Sequence, residues 1–366
     1  MHIGLVGPLP PPSGGMANQT RQLANLLASE NIQVTLIQVN APYYPQWIEK
    51  FKGIRAFFRL IPYLYKLWQA SHSVQFFHVM ANSGWSWHLF SAPVIWIAYL
   101  KNKPIIINYR GGEAEAFLKK SIFWVRPSLK RANAIIVPSA FLKHVFNQRG
   151  FDVTIVPNII DLDRFAVQAP EWNLPKIENS PHIILTRNLE SIYDNATAIR
   201  AFSIVKKNFP NAKLSIAGSG PEKAMLEQLV DSLELVNSVT FLGRIDNAAI
   251  NDLYHRADVM VNTSLIDNMP ISILEALACK VPVVSTNVGG VPFLVKHGET
   301  ALLVPPKSPV DIAEAIQLIL TNPEKSRKMV EAGYEMVQHY SWKHVRAQLM
   351  EIYERTLIGS NLITKS

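Results

Sequence analysis

Apolar residues in this chain come in short β-branched runs, each closing on small or polar positions. The first half holds "IGLVGP", "VQFFHVMANSG", "PIIINYRGG", "AIIVPSA" and "VTIVPN". The second half holds "HIILTRN", "KLSIAGSG", "VTFLGRI", "VMVNTS" and "PVVSTNVGG". Between them lie amphipathic stretches of helical period, such as "NQTRQLANLLASE" (18 to 30) and "NATAIRAFSIVKKN" (195 to 208). Strand alternating with helix predicts parallel sheets covered on both faces. The pattern occurs twice, which predicts two doubly wound α/β domains.

The aperiodic, proline-rich stretch "VQAPEWNLPKIENSP" (167 to 181) marks the expected boundary. The predicted domains are therefore 1–166 and 181–340. A closing helix in 341–366 is expected to pack back toward the first domain. Open parallel sheets bind ligands beyond the carboxyl ends of their strands. Two such sheets facing each other would set their loops along one cleft.

Composition narrows the picture in a few places. A chain of 366 residues, 48% of them hydrophobic, is long enough for two cores. The single cysteine, Cys279, excludes an internal disulfide and a cysteine-built zinc site. The histidines show no ligand spacing, so no metal and no cofactor is expected. The start lacks the basic and apolar regions of a signal peptide. "WSWHLFSAPVIWIAYL" (85 to 100) is shorter than the roughly 20 residues a spanning helix needs, and reads as a buried core helix.

Charge is uneven. Residues 1 to 165 hold 17 lysines and arginines against 7 acids; the remainder holds 19 against 21. A basic first half suggests an anionic partner there. Residues 49–72 interleave Lys50, Lys52, Arg55, Arg59 and Lys66 with Phe57, Phe58, Tyr63, Tyr65 and Trp68. That mixture suits an anionic membrane surface, and equally a helix packing on its own sheet. Nucleic acid is not expected, because no groove-reading element is visible.

The most informative chemistry lies in "SLIDNMPISILEALACKVPVVSTNVGG" (264 to 290). Pro270 suits a helix start, which places Asp267 in the preceding loop and Glu275 on the second turn. Backbone amides around Asn268 to Ser272 would form a positive helix end, a site for an anion. Carboxylates beside a phosphate are useful when they accept hydrogen bonds from hydroxyls, as on a nucleotide sugar. A plain cap at Asp267 with a solvated Glu275 is the structural alternative.

This stretch resembles the carboxylate motif of the retaining glycosyltransferases of family 4 (glycosyl transferases group 1). "PSGGMANQTRQLANLL" is similar to that family's glycine loop and first helix. "VPNIIDLDRF", "AGSGPE" and "YSWKHVRAQLMEIY" resemble its interdomain segment, a later strand loop and its closing helix. The resemblance covers nearly the whole chain. It implies the GT-B fold: α/β, two Rossmann-like domains facing across a cleft.

The resemblance also implies roles. Gly14 and Gly15 would approach the donor phosphates, and Arg187 would face the diphosphate. Asp267 would hold the transferred sugar and Glu275 the ribose. Amides of Asn268, Met269 and Ile271 would line phosphate and sugar. The family usually follows its arginine with a lysine; here Tyr193, Asp194 and Asn195 stand instead. Arg110 occupies a position often held by histidine and could supply the missing charge. Gly111 and Gly112 beside it, and His78 at what reads as a strand end, are candidate acceptor or sugar contacts.

The activity implied is transfer of a sugar, with retention of configuration, from a UDP- or GDP-linked donor to a glycan or lipid-linked acceptor. Cell-surface polysaccharide, lipopolysaccharide or glycolipid synthesis is the expected setting, cytoplasmic or peripheral on the inner membrane face. Front-face attack, with the donor phosphate taking the acceptor proton, is the economical mechanism. A nucleotide-sugar 2-epimerase and a non-catalytic nucleotide- or glycan-binding protein remain as alternatives.

Overall fold

The computed structural model describes residues 1–11, 14–51, 54–165 and 180–363. Pro12 and Ser13 of the glycine loop, Lys52, and nearly all of the expected boundary segment lie outside the described residues. The chain divides into two compact units, 1–158 with 345–366, and 159–344.

The first unit is built on a six-stranded sheet of β1 (His2–Gly7), β2 (Gln33–Gln38), β3 (Phe76–Ala81), β4 (Ile105–Tyr109), β5 (Ala134–Val137) and β6 (Thr154–Ile155). Its order is β2-β1-β3-β4-β5-β6, every pair parallel. The second sheet holds β7 (His182–Leu185), β8 (Lys213–Ala217), β9 (Val239–Gly243), β10 (Val259–Asn262), β11 (Val283–Thr286) and β12 (Leu302–Val304). Its order is β12-β11-β10-β7-β8-β9, again parallel throughout.

Ten of these strands coincide with the apolar runs; β2 and β12 do not. β2, at a sheet edge, buries only Ile37 and leaves its other five positions half-buried or exposed, and β12 is three residues long. Neither makes a continuous apolar run of the kind a doubly covered strand needs.

Side-chain alternation sorts each sheet into two faces. In β3, Phe77, Val79 and Ala81 join the core cluster on one face. Phe76 and His78 point to the other, where Tyr353 of the helix Trp342–Ile363 packs its ring 5.0 Å from Phe76. In the second unit, Ile183, Leu185, Val259 and Val261 pack under the helices Asn195–Asn208 and Pro309–Thr321. Ile184, Met260 and Val283 face the opposite layer, with Tyr254 and the helix Ile271–Ala278.

The segment 85–100 departs from the expected buried helix. One π turn, Trp87–Ser91, leads into the helix Ala92–Leu100. Trp87, Val94, Ile95 and Ala98 are buried, whereas Trp96, Tyr99 and Leu100 face solvent. The run is apolar on all sides, but the sheet covers only one of them.

Candidate functional site in the second unit

In the second sheet the chain leaves β7 toward β8 on one side and returns through β10 on the other. The order therefore reverses between β7 and β10, and the loops beyond their carboxyl ends flank the crevice where such sheets take ligands. Arg187 follows β7, and Asp267 follows β10. Topology alone brings these two positions together.

Polar ends of the strands brace the loop after β10. Asn262 Nδ2 donates to Ser285 Oγ at 2.9 Å, and Ser264 Oγ donates to Asn262 Oδ1 at 2.8 Å. Thr286 Oγ1 donates to the Ser264 carbonyl at 2.6 Å, and Thr263 Oγ1 to the Tyr193 carbonyl at 2.8 Å. Gly289 and Gly290 press against the backbone of Asp267 and Asn268, and Gly290 N–H donates to the Asp267 carbonyl at 2.8 Å. A Cβ on either glycine would fall on a carbonyl oxygen of that loop. The Gly-Gly that closes the motif thus shapes the acidic loop itself.

The Arg187 guanidinium is ion-paired with the Asp267 carboxylate, each side chain 13% exposed. Arg187 Nη2 also donates to Ser264 Oγ at 3.1 Å, and the guanidinium lies 4.5 Å from the Tyr193 ring centroid. Burial lowers the pKa of Arg187 from its ordinary value; nearby Tyr193, Tyr254 and Glu275 oppose the shift. The segment that carries no lysine places the aromatic ring of Tyr193 against the arginine instead. Asn195, fully buried, donates to the Asn188 carbonyl at 2.9 Å and ties that segment back to the loop after β7.

Pro270 is the residue just before the helix Ile271–Ala278, whose positive end points at Asp267–Met269. Ser272 Oγ, on its first turn, is buried and has no hydrogen-bond partner among the described residues. Glu275, one turn on, accepts from Tyr254 Oη at 2.9 Å. Tyr254 in turn accepts from Thr186 Oγ1 at 2.8 Å. Burial raises the Glu275 pKa, while the Tyr254 hydrogen bond and the charges of Arg164 and Arg187 hold it down in part. Arginine, carboxylate and helix end within one crevice can take a phosphate group beside hydroxyls.

The first unit holds the remaining candidates. Gly14 stands before the helix Gly15–Ser29 in extended conformation, with open space where a Cβ would be. Neither packing nor backbone conformation demands glycine there, and Gly112 is equally open. Gly111 differs, because a Cβ would collide with Ser83.

Arg110 follows β4. Its Nε donates to Asn108 Oδ1 at 2.9 Å, and its Nη1 bonds Asn158 Oδ1. Because arginine only donates, Asn108 must turn its amide nitrogen toward His78 Nε2, 2.9 Å away. His78 Nε2 is then the acceptor, and Nδ1–H donates to Tyr353 Oη at 2.7 Å. Burial, then the Arg110 charge, lowers the His78 pKa to about 3. His78 lies inside β3, not at its end, and is fully buried with both nitrogens engaged. That corrects its reading as an acceptor contact: it anchors the closing helix to the sheet.

A cavity of about 190 Å³ opens beyond the carboxyl ends of β1, β2 and β3. Met16, Val39 and Phe90 give it apolar walls, and Asn40, Arg59 and Asn82 give it polar ones. Tyr193, Tyr254 and Ser264 were not visible as site residues in the sequence. They stand in otherwise ordinary helix and loop segments, and only the fold shows what they touch. Among the described residues no group of three His, Cys, Asp or Glu could hold a metal ion. No helix among them is long and apolar enough to cross a membrane.

Residues 13–164 match the family described as Glycosyltransferase Family 4, and residues 170–336 match Glycosyl transferases group 1. The N-acetyl-alpha-D-glucosaminyl L-malate synthase of Bacillus anthracis is 32% identical over 173 residues, 47% of this chain and 44% of that protein. The phosphatidyl-myo-inositol mannosyltransferase of Mycobacterium leprae is 24% identical, over 97% of this chain and 96% of that one. Toward the two first-ranked curated relatives the chain spans less than half of their length. The crystal structure of HepE from Anabaena with UDP-glucose superposes with a TM-score of 0.75 at 18% identity, covering 96% of this chain and 99% of that one. The fold is GT-B: two parallel six-stranded sheets, each in a Rossmann-like unit.

Proposed function

The chain belongs to the glycosyl transferases group 1, glycosyltransferase family 4, and from that premise we propose that it moves a sugar from a nucleoside diphosphate donor to an acceptor hydroxyl with retention of configuration. The observation that carries the reading is the Arg187–Asp267 ion pair beyond β7 and β10, with Glu275 near enough for its charge to act on Arg187. The donor diphosphate takes the helix end and Arg187, the ribose hydroxyls bind Glu275, and the sugar hydroxyls bind Asp267. Gly14 and Gly15 open the helix Gly15–Ser29, a second helix end able to take a phosphate.

In the reaction, the acceptor oxygen forms a bond to the anomeric carbon as the bond from that carbon to the phosphate oxygen breaks. The acceptor proton passes to the departing diphosphate, whose charge Arg187 and the helix end stabilise. No side chain is assigned as a covalent nucleophile. The UDP-glucose bound by HepE makes uridine donors the first to test, with guanosine donors beside them.

The acceptor is a glycan or a lipid-linked hydroxyl, taken up on the first unit, where the cavity beside Asn40, Arg59 and Asn82 suits a hydroxyl-bearing group. The M. leprae relative acts, by its name, on a phosphatidyl-linked inositol. An acceptor of that kind agrees with an enzyme working at the cytoplasmic face of a membrane, with residues 49–72 at the interface.

The test is incubation with a panel of nucleotide sugars, with and without acceptor extracts, read by nucleoside diphosphate release and by NMR of the product anomer. Acceptor-dependent release with retained configuration is expected. Conversion of the donor alone would make the protein an epimerase, and binding without release would make it a non-catalytic binder.

A further inference from the structure

Three helices of the first unit present large apolar side chains to solvent. On Ile54–Ser73 these include Phe57, Ile61 and Trp68; on Ala92–Leu100 they are Trp96, Tyr99 and Leu100. On Ala114–Leu129, Phe123 and Trp124 are 77% and 73% exposed, their rings edge to face at 5.3 Å. Single exposed apolar residues are ordinary on a protein surface, but a connected set is not.

Cations stitch this set together. Lys101 Nζ sits 3.6 Å from the Trp68 ring centroid, joining the first helix to the end of the second. The Arg131 guanidinium, just past the third helix, lies 3.9 Å from the Trp96 ring and 4.7 Å from that of Tyr99. Trp96 Nε1 donates to Ser128 Oγ of the third helix at 3.2 Å. Trp68, Trp96 and Tyr99 are thus tied to one another's helices, and Phe123 and Trp124 stand exposed on the third of those helices.

The charge of this surface has one sign. The three helices and the three residues after each carry ten lysines and arginines, and their acids are Glu115 and, just before the third helix, Glu113. Both acids sit at the start of the third helix, about 12 Å or more along its axis from Phe123. Lys119 and Lys120 occupy the turn between and are exposed.

We propose that this three-helix face docks on a bilayer carrying anionic lipids. Leu100, Phe123 and Trp124 enter the boundary between headgroups and acyl chains, while the surrounding lysines and arginines meet lipid phosphates. A second copy of the chain is disfavoured as the occupant, because a two-fold contact would set like charges against each other. Exposed aliphatic side chains such as Ile61 and Leu100 suit lipid better than stacked bases. The docking face thus extends well past residues 49–72. The proposal rests on the interfacial part of the reading above and is independent of sugar transfer.

Flotation with vesicles of phosphatidylcholine, alone or with about a third phosphatidylglycerol, tests it. The wild-type chain is expected to bind the anionic vesicles at least about tenfold more tightly, and to be released by high salt. Replacing Phe123→Ser together with Trp124→Ser, on exposed positions that the core does not need, is expected to weaken that binding about tenfold. Nucleoside diphosphate binding by the same preparations reports that they are folded and tests the donor site separately. The proposal is overturned by equal binding to neutral vesicles, by no binding to either, or by a double variant that binds as the wild type does. It is also overturned if the double variant instead loses self-association or single-stranded RNA binding.

Discussion

Arg187 holds the Asp267 carboxylate across the reversal point of its sheet, although one residue follows the first strand of the unit and the other the fourth. The same guanidinium is assigned to the donor diphosphate, and the same carboxylate to the donor sugar. The two charges offset one another. On that assignment, binding exchanges the carboxylate for a phosphate on Arg187 and releases Asp267 toward hydroxyls.

Removing the competing charge follows directly. Asp267→Asn keeps the shape and leaves Arg187 free to take phosphate, so nucleoside diphosphate affinity should rise about tenfold. Transfer should fall ten- to about a hundredfold, since a hydrogen bond to a charged acceptor is lost from the sugar. Calorimetry and steady-state kinetics on one preparation read both. A variant that loses nucleotide affinity would mean that the ion pair is a structural clasp and no competitor.

Much of this site was legible in the chain, and the reasons are physical. Asp267 before Pro270, and Glu275 one turn into the helix, follow from proline's place at helix starts and from helical spacing. Arg187 was singled out by the family resemblance, and the structure places it two residues past the end of β7. The contact between Arg187 and Asp267 was not legible, because 80 residues separate them and only strand order unites them. Tyr254 was hidden for the same reason. His78 misled because alternation along β3 turns it inward, onto a helix 275 residues later.

Acidity should separate binding from stability at Glu275. Burial raises its pKa, so ribose hydroxyls lose their carboxylate acceptor as pH falls through a value above the ordinary glutamate range. Stability runs the other way. With the folded pKa above the unfolded one, this group favours folding at low pH, and that contribution is lost as pH rises through the folded pKa. Glu275→Gln should therefore be at least as stable as the wild type at neutral pH yet bind nucleotide weakly. Thermal unfolding and calorimetry across pH 4 to about 8 check both signs.

Two glycines should behave in opposite ways. Gly14→Ser meets open space and an allowed backbone, and supplies a better helix cap, so stability should hold or rise by a few tenths of a kcal/mol. Its hydroxyl would take amides of that helix end, so if a donor phosphate uses them, as proposed, donor affinity should drop. Gly290→Ala places a Cβ on the Asn268 carbonyl and should cost about 1–3 kcal/mol together with donor binding. Urea unfolding beside nucleotide titration distinguishes the two.

Tyr353→Phe should destabilise the first unit by about 1–3 kcal/mol, because the His78 Nδ1–H would be left buried without an acceptor. The His78 pKa is lowered by burial to about 3, whereas the unfolded chain takes a proton near 6.5. Its contribution to stability is thus full above that unfolded value and is lost as pH falls toward 3. Chemical denaturation of wild type and variant at neutral and mildly acid pH measures both effects.

The central claim is that one crevice in the second unit takes the nucleoside diphosphate of a sugar donor. Calorimetric titration of UDP, GDP, ADP and CMP into the wild type, Glu275→Ala and Arg187→Gln tests it most directly. The account predicts that one diphosphate binds the wild type selectively. It also predicts a loss of at least about tenfold in each variant, through the ribose in one and the phosphates in the other. Binding that survives both substitutions, or no binding of any nucleotide to the folded wild type, would contradict it.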